Sequence, residues 1–190
     1  MGAGTGSSLC AFIHYPGYVA ENLKKQLSVL SKRGPHRVLV GDLDFTGLPG
    51  KVYTPAEGSG VPGVAFGHDW MLGLKQYHAT LRHLASWGIA VAAPDTESGF
   101  TPNHRGFAAD LQTALQVLAG VKLGSGNVTV SSTKLGLVGH GMGGGAAILA
   151  ALDNPQAKAV AGIFPAVTSP SNYEAAKHMT VPVSYTHLRA

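Results

Sequence analysis

The stretch Lys134–Ala147, KLGLVGHGMGGGAA, predicts a buried strand, a tight turn and a helix in immediate succession. The apolar run Leu135–Val138 indicates the strand, and the small and apolar residues of Gly143–Leu152 indicate the helix. Turns of this kind lie above a parallel sheet, where they present either a nucleophile or a phosphate-binding backbone. This turn is therefore the first candidate for a functional site.

Two functional turns and one structural turn fit these residues. In the nucleophile elbow, G-x-S-x-G, a strained bend lifts a serine above the sheet. Gly139, His140 and Gly143 fit that pattern, but Gly141 stands at the nucleophile position. The dinucleotide turn, G-x-G-x-x-G, is satisfied by Gly139, Gly141 and Gly144, whose backbone would approach a pyrophosphate. The third alternative is a glycine-rich packing turn.

The position of the turn in the chain favours the elbow. A dinucleotide turn normally lies in the first βα unit, and an acidic residue ends the next strand. This turn follows at least three predicted sheet strands, and the next strand ends at Ile163–Pro165 without a carboxylate. The pattern therefore favours an elbow whose nucleophile position, Gly141, has no side chain.

Outward from the turn, apolar strands alternate with amphipathic helices, which predicts an α/β fold with a largely parallel sheet and helices on both faces. The predicted strands are Arg37–Leu43, Lys51–Thr54, Val61–Phe66, Ile89–Ala93, Leu135–Val138, Ala159–Phe164 and one that opens at Thr180–Val183. The predicted helices are Glu21–Ser31, Tyr77–Trp87, Phe107–Val121 and Gly143–Leu152. Between them, Gly120–Thr133 predicts a polar loop.

Composition limits the class of protein. A length of 190 residues suggests a single domain, 1–190, with residues 1–34 as an irregular or helical N-terminal segment. A content of 45% apolar and 13% charged residues argues against intrinsic disorder. One cysteine, Cys10, excludes an internal disulfide framework.

Charge and hydropathy limit the kinds of partner and the location that we expect for this protein. The net charge is +4, but the basic residues form only pairs such as Lys24–Lys25, so we expect no nucleic-acid partner. No apolar run is long enough to span a membrane. Met1–Ser8 contains no Lys or Arg, so no signal peptide is readable. We expect a cytoplasmic protein, with secretion as the alternative if the N-terminus is misassigned, and the sequence leaves the oligomeric state open.

The residues Gly139–Ala146, with Gly141 where a serine would stand, resemble the nucleophile elbow of the α/β-hydrolase superfamily. More narrowly, they are similar to the dienelactone hydrolase-like and cutinase-like polyester hydrolase branch. Further segments that resemble this branch are Val61–Asp69, Leu84–Thr96 and Ala157–Val183. The resemblance implies an α/β-hydrolase fold across most of Lys51–Val183.

The resemblance also implies the chemistry of a carboxylic-ester hydrolase. In that family a serine attacks the ester carbonyl, a histidine moves the proton, and a carboxylate orients the histidine. By position, the backbone N–H groups of His68 and Met142 would hold the oxyanion. Asp69, Trp70 and His140 would line the pocket for a small-molecule ester or acyl ligand. No cofactor and no metal are implied.

The chain departs from the family pattern at its catalytic positions. Gly141 supplies no nucleophile, and the carboxylates that follow it, Asp153 and Glu174, do not stand at the position of the family acid. Asp95 is expected to be a structural loop anchor, and His104 and His178 are expected to lie on the surface. Polyester-degrading relatives have Pro-Trp where this chain has Pro165–Ala166.

The C-terminal residues also depart from the family pattern. Ser184–Ala190 does not continue the strand near Val181 as an apolar run, so we expect a truncated sheet with a non-native tail at 184–190. His187 would then not be a catalytic histidine. Two hypotheses follow: a truncated or altered copy of an ester hydrolase that is inactive as written, or a non-catalytic binding protein of the same fold.

Overall fold

A computed structural model describes residues 18–152 and 154–186. The predictions for Cys10, Asp153 and His187 lie outside the described residues. The chain divides into two compact units, residues 1–33 and 34–190. In the smaller unit, helix α1, Tyr18–Leu30, overlaps the predicted helix Glu21–Ser31. The larger unit contains the sheet.

The sheet has seven strands in the order β1-β2-β4-β3-β5-β6-β7. Strand β2 runs antiparallel to both of its neighbours, and the other adjacent pairs are parallel. This mixed, mostly parallel sheet agrees with the α/β fold that the sequence predicts. The strands are β1 Val38–Asp42, β2 Gly50–Pro55, β3 Gly58–Gly67, β4 Ala90–Pro94, β5 Val128–His140, β6 Ala157–Ile163 and β7 Val183–Thr186.

Helices cover both faces of the sheet, as predicted. The described part of this unit contains four α-helices: α2 His78–Ser86, α3 His104–Gly120, α4 Met142–Leu152 and α5 Asn172–Lys177. Strand β4 is buried along its whole length and divides the core into two layers. Ala90 and Ala92 pack in the layer that contains α3 and α4, whereas Val91 and Ala93 pack in the layer that contains α2. The continuous apolar run of β4 therefore serves two hydrophobic layers.

Each predicted strand overlaps an observed one, but the loop predicted for Gly120–Thr133 is partly wrong. Strand β5 begins at Val128, because Val128 and Val130 pair with Gly58 and Val61 of β3 across two irregularities in register. The polar residues that follow are partly or fully exposed, so this end of the strand lacks the apolar run that marks a buried strand.

The carboxyl ends of three parallel strands lie side by side. Gly139 of β5 is level with Gly67 of β3 and Gly162 of β6. Loops that leave this edge therefore meet above the turn that follows β5. Strand β7 continues through Thr186, which is level with Ile163. None of the described helices is long and apolar enough to cross a membrane.

Candidate functional site

The turn after β5 is a single residue, Gly141, between the last residue of β5 and the first of α4. Its φ of +55° lies in the left-handed region, which a side chain makes unfavourable. The Gly141 N–H donates to the carbonyl oxygen of Ile163 at 3.0 Å. The Gly141 carbonyl oxygen accepts from the N–H groups of Gly145 at 3.2 Å and Ala166 at 2.8 Å. These bonds fix the turn against β6 and the loop that follows it.

Close backbone packing explains two neighbouring glycines. A β-carbon on Gly139 would overlap the backbone of Gly143, and one on Gly143 would overlap the backbone of Gly67. The first turn of α4 therefore rests directly on the ends of β3 and β5. Only glycine allows this approach, which brings the start of α4 beside the loop after β3.

The carboxylate of Asp69 lies in that loop and points into the turn. Its Oδ1 atom accepts hydrogen bonds from the backbone N–H groups of Met142 and Trp70, each at 2.8 Å. A β-carbon built on Gly141 would overlap this carboxylate. Asp69 therefore occupies the space into which a side chain at position 141 would point.

Tyr77 and His140 support the Asp69 loop from the side. The Tyr77 hydroxyl accepts from the Asp69 N–H at 3.1 Å and lies 2.8 Å from Nδ1 of His140. Burial raises the pKa of Tyr77, so the phenol keeps its proton and is able to donate it to Nδ1. The same Nδ1 atom lies 3.8 Å from Oδ2 of Asp69. Tyr77 is not among the predicted site residues, because a tyrosine at the start of a predicted helix carries no local sign of this contact.

His68 is fully buried below the site. Its Nδ1 atom lies 2.8 Å from the carbonyl oxygen of Asp69, and its Nε2 atom lies 2.7 Å from that of Thr96. The ring also packs against Phe107, with 4.8 Å between centroids. The side chain thus joins the loop after β3 to the loop after β4. The N–H group that shares the Asp69 carboxylate with the Met142 N–H belongs to Trp70, not to His68. The oxyanion role of the His68 N–H stays a prediction.

Exposed aromatic side chains border the turn. Trp70 and Phe100 form an edge-on pair with 5.6 Å between centroids, and Nε1 of Trp70 donates to the Phe100 carbonyl oxygen at 3.3 Å. Phe164, at the end of β6, lies 6.3 Å from His140, centroid to centroid. These three aromatic residues are 46%, 74% and 41% exposed, respectively. They offer an apolar surface around a polar centre.

The other predicted residues lie away from the turn or serve the framework. Oδ1 of Asp95 accepts from the Leu74 N–H at 3.2 Å, which confirms its role as a loop anchor. Glu174 lies on α5 and pairs with Lys177 at 2.8 Å. His178 is exposed as predicted. His104, the first residue of α3, is partly exposed, and its Nδ1 accepts from the Ser169 N–H at 3.0 Å, which joins α3 to the loop before α5.

In the part of the chain that the structure describes, the turn coincides neither with a cluster of metal-ligating side chains nor with the groove beside α5. Among the described residues, no group of three or more His, Cys, Asp or Glu side chains is placed to hold a metal ion. A groove of about 350 Å³ lies between α4, α5 and β7, lined by Ile148, Tyr173 and Val183 among others. Its lining contains neither Gly141 nor Asp69, so we place the candidate chemistry at the turn and not in the groove.

A sequence model of the family described as "PETase: PET hydrolase-like" matches residues 24–186. The match spans all seven strands and the helices α2–α5. The chain therefore belongs to this family of polyester hydrolases within the α/β-hydrolase superfamily. No curated protein matches the chain.

Proposed function

We propose that this member of the PET hydrolase-like family derives from carboxylic-ester hydrolases but does not hydrolyse esters through its turn. In this proposal Gly141 occupies the nucleophile position of an elbow that has lost its nucleophile. The observation that carries the proposal is the carboxylate of Asp69, which lies where a side chain at position 141 would need to be.

The chemistry of ester hydrolysis explains why the loss is decisive. A serine hydroxyl must attack the acyl carbon while backbone N–H groups stabilise the negative charge that develops on the acyl oxygen. The Met142 N–H, to which this proposal assigns the second task, is bound to Asp69. With the nucleophile gone, hydrolases keep only the small acceleration that the oxyanion site and substrate binding supply.

In this proposal, the described residues also supply no histidine and acid that act together on a hydroxyl at position 141. His140 is the histidine next to Gly141, but its Nδ1 atom already lies 2.8 Å from the Tyr77 hydroxyl. Glu174 lies on α5, where its pKa is lowered by a hydrogen bond from Lys177, and it has no contact with His140 among the described hydrogen bonds. In this proposal, a hydroxyl added at position 141 would therefore have no histidine relay for its proton among the described residues.

The test is an ester-hydrolysis assay of the purified chain with short-chain 4-nitrophenyl esters and a serine-reactive fluorophosphonate. We expect no turnover above the buffer rate and no labelled serine. Gly141→Ser should give at most slow labelling without sustained turnover. Stoichiometric labelling of a serine in the unaltered chain, together with turnover, would overturn the proposal.

A second candidate is a non-catalytic protein that binds an ester or acyl ligand over the turn. The exposed aromatic surface of Trp70, Phe100 and Phe164 favours it, because rings of this kind bind flat apolar groups. In the Trp87→Phe background Trp70 is the remaining tryptophan, so its fluorescence reports on this surface. Ethyl benzoate should quench it saturably, and Phe100→Ala should weaken the effect. A purely linear response in both proteins would argue against this candidate.

A further inference from the structure

We infer that Asp69 is an internal occupant of the turn, which holds the site closed against external acyl oxygens and carboxylates. The inference rests on the proposed function, since it concerns the Met142 N–H that the proposal assigns to the oxyanion. It adds a regulatory contact, in which one side chain of the protein takes the place of the ligand's oxygen.

The two donors come from separate segments and meet at one oxygen atom. The N–H of Met142 lies ahead of the first intrahelical bond of α4, which runs from the Gly145 N–H to the Gly141 carbonyl oxygen. It therefore has no acceptor within its own helix. The N–H of Trp70 belongs to the loop after β3. Both bonds to Oδ1 of Asp69 measure 2.8 Å, the separation typical of charge-assisted hydrogen bonds.

The Asp69 backbone is held by its own contacts, whereas its side chain is partly exposed. The Asp69 N–H donates to the Tyr77 hydroxyl, and the Asp69 carbonyl oxygen lies 2.8 Å from Nδ1 of His68. The side chain itself is 30% exposed, and Oδ2 lies 3.8 Å from the His140 ring, beyond hydrogen-bond distance. Rotation about its two side-chain bonds would then free both donors while the backbone contacts of Asp69 remain.

A neutral ester oxygen competes poorly with this carboxylate. Hydrogen bonds to an ionised acceptor are roughly twice as strong as those between neutral groups, and Asp69 is tethered beside the donors. An external carboxylate meets the same competition and the added repulsion of a like charge. External ligands should therefore reach the two N–H groups only when Asp69 is displaced or replaced.

The first test measures benzoate binding through the backbone amide resonances of Met142 and Trp70. In Asp69→Ala, both resonances should shift saturably with benzoate and not with benzyl alcohol, a neutral analogue. The unaltered protein should bind benzoate at least about tenfold more weakly, which corresponds to about 1.4 kcal/mol. Asp42→Asn, which removes a carboxylate on β1, is the matched control and should behave like the unaltered protein. Equal binding by the unaltered protein and Asp69→Ala would overturn the inference.

The second test needs no ligand and uses the conservative Asp69→Asn beside Asp69→Ala. Hydrogen exchange at the Met142 amide should be slow in the unaltered protein and about tenfold faster in Asp69→Ala, with Asp69→Asn between them. The Gly106 amide, which Asn103 caps at the start of α3, should not change. Unchanged exchange at Met142 in both variants would contradict the contact, whereas the absence of ester turnover is a separate result.

Discussion

The first turns of α3 and α4 both contain backbone N–H groups without an acceptor inside the helix. The two helices supply an acceptor in different ways. At α3, the side chain of Asn103 accepts from the Gly106 N–H at 3.0 Å, three residues further along the chain. At α4, the acceptor is Asp69, which is 73 positions away from Met142. One helix start is stabilised by a local cap, and the other depends on a loop from another strand.

The difference follows from the residue that precedes each helix. Asn is a favoured capping residue, because its short side chain reaches back to the free N–H groups of the first turn. Gly141 has no side chain, so no local acceptor exists at α4. The close packing of Gly143 on Gly67 then brings Asp69 within reach. A local cap needs only neighbouring residues, whereas a remote cap needs the sheet to be assembled first.

The largest effect should come from breaking the packing that makes the remote cap possible. In Gly143→Ala, the new methyl group would overlap the backbone of Gly67, so α4 must move away from β3. We expect a loss of roughly 3 kcal/mol or more in the free energy of unfolding, measured by urea denaturation. Gly120→Ala, at the end of α3, is the control, because a β-carbon there meets nothing within 4 Å. A change of comparable size in both variants would contradict this account.

A side chain at the turn itself should have the next largest effect. Gly141→Ser places a serine at a φ of +55° and pushes its β-carbon into Asp69, so we expect a loss of about 1–3 kcal/mol. In the double variant with Asp69→Ala, the collision is gone and the two losses should not add. Calorimetric melting of the four proteins tests this. Additivity within about 0.5 kcal/mol would mean that residues 69 and 141 do not compete for space.

Removing the caps one at a time compares the two helix starts directly. Asn103→Ala should cost about 1 kcal/mol, the usual value for a lost cap. Asp69→Ala should cost about 1–2 kcal/mol, because it frees two N–H groups and removes a negative charge from the start of α4. Only the Asp69 effect should shrink in high salt, which screens that charge. A salt dependence of the same size in both variants would argue against the charge contribution.

The smallest effect concerns the hydroxyl that supports the remote cap. Tyr77→Phe should cost about 1 kcal/mol near neutral pH, since the Asp69 N–H loses its acceptor. Burial raises the pKa of Tyr77 above its ordinary value of 10.0, so the unfolded chain releases this proton first. The stability that protonated Tyr77 contributes to the folded protein is therefore complete below pH 10 and declines as the pH rises beyond it.

Tyr77→Phe should therefore lose less stability than the unaltered protein between neutral pH and the alkaline range. Tyr53→Phe is the matched control, because burial also raises the pKa of Tyr53, which lies 3.2 Å from Nδ1 of His78 and away from the turn. Both variants should flatten the alkaline decline measured by urea denaturation. Only Tyr77→Phe should speed hydrogen exchange at the Asp69 amide, and an equal effect of both variants there would contradict the assignment.

The alternation of strands and helices could be predicted because each element has its own pattern. The apolar run Ile89–Ala93 and the periodic leucines of α3 are complete within short windows of the chain. The boundaries of two elements differ from the predicted ones. Helix α3 begins at His104, three residues before the predicted start, because its Asn103 cap precedes the apolar pattern. Strand β5 begins in polar residues, where only its pairing with β3 reveals it.

By itself, the sequence determined the α/β order, the glycine-lined turn after β5 and the absence of a nucleophile at Gly141. Only the tertiary structure decided what fills that space. The contact between Asp69 and Met142 joins two loops that the parallel pairing of β3 and β5 brings to one edge, with glycines that let the backbones touch. Patterns along the chain indicate how each segment buries its own apolar face. Which distant N–H groups a carboxylate binds depends instead on the assembled sheet.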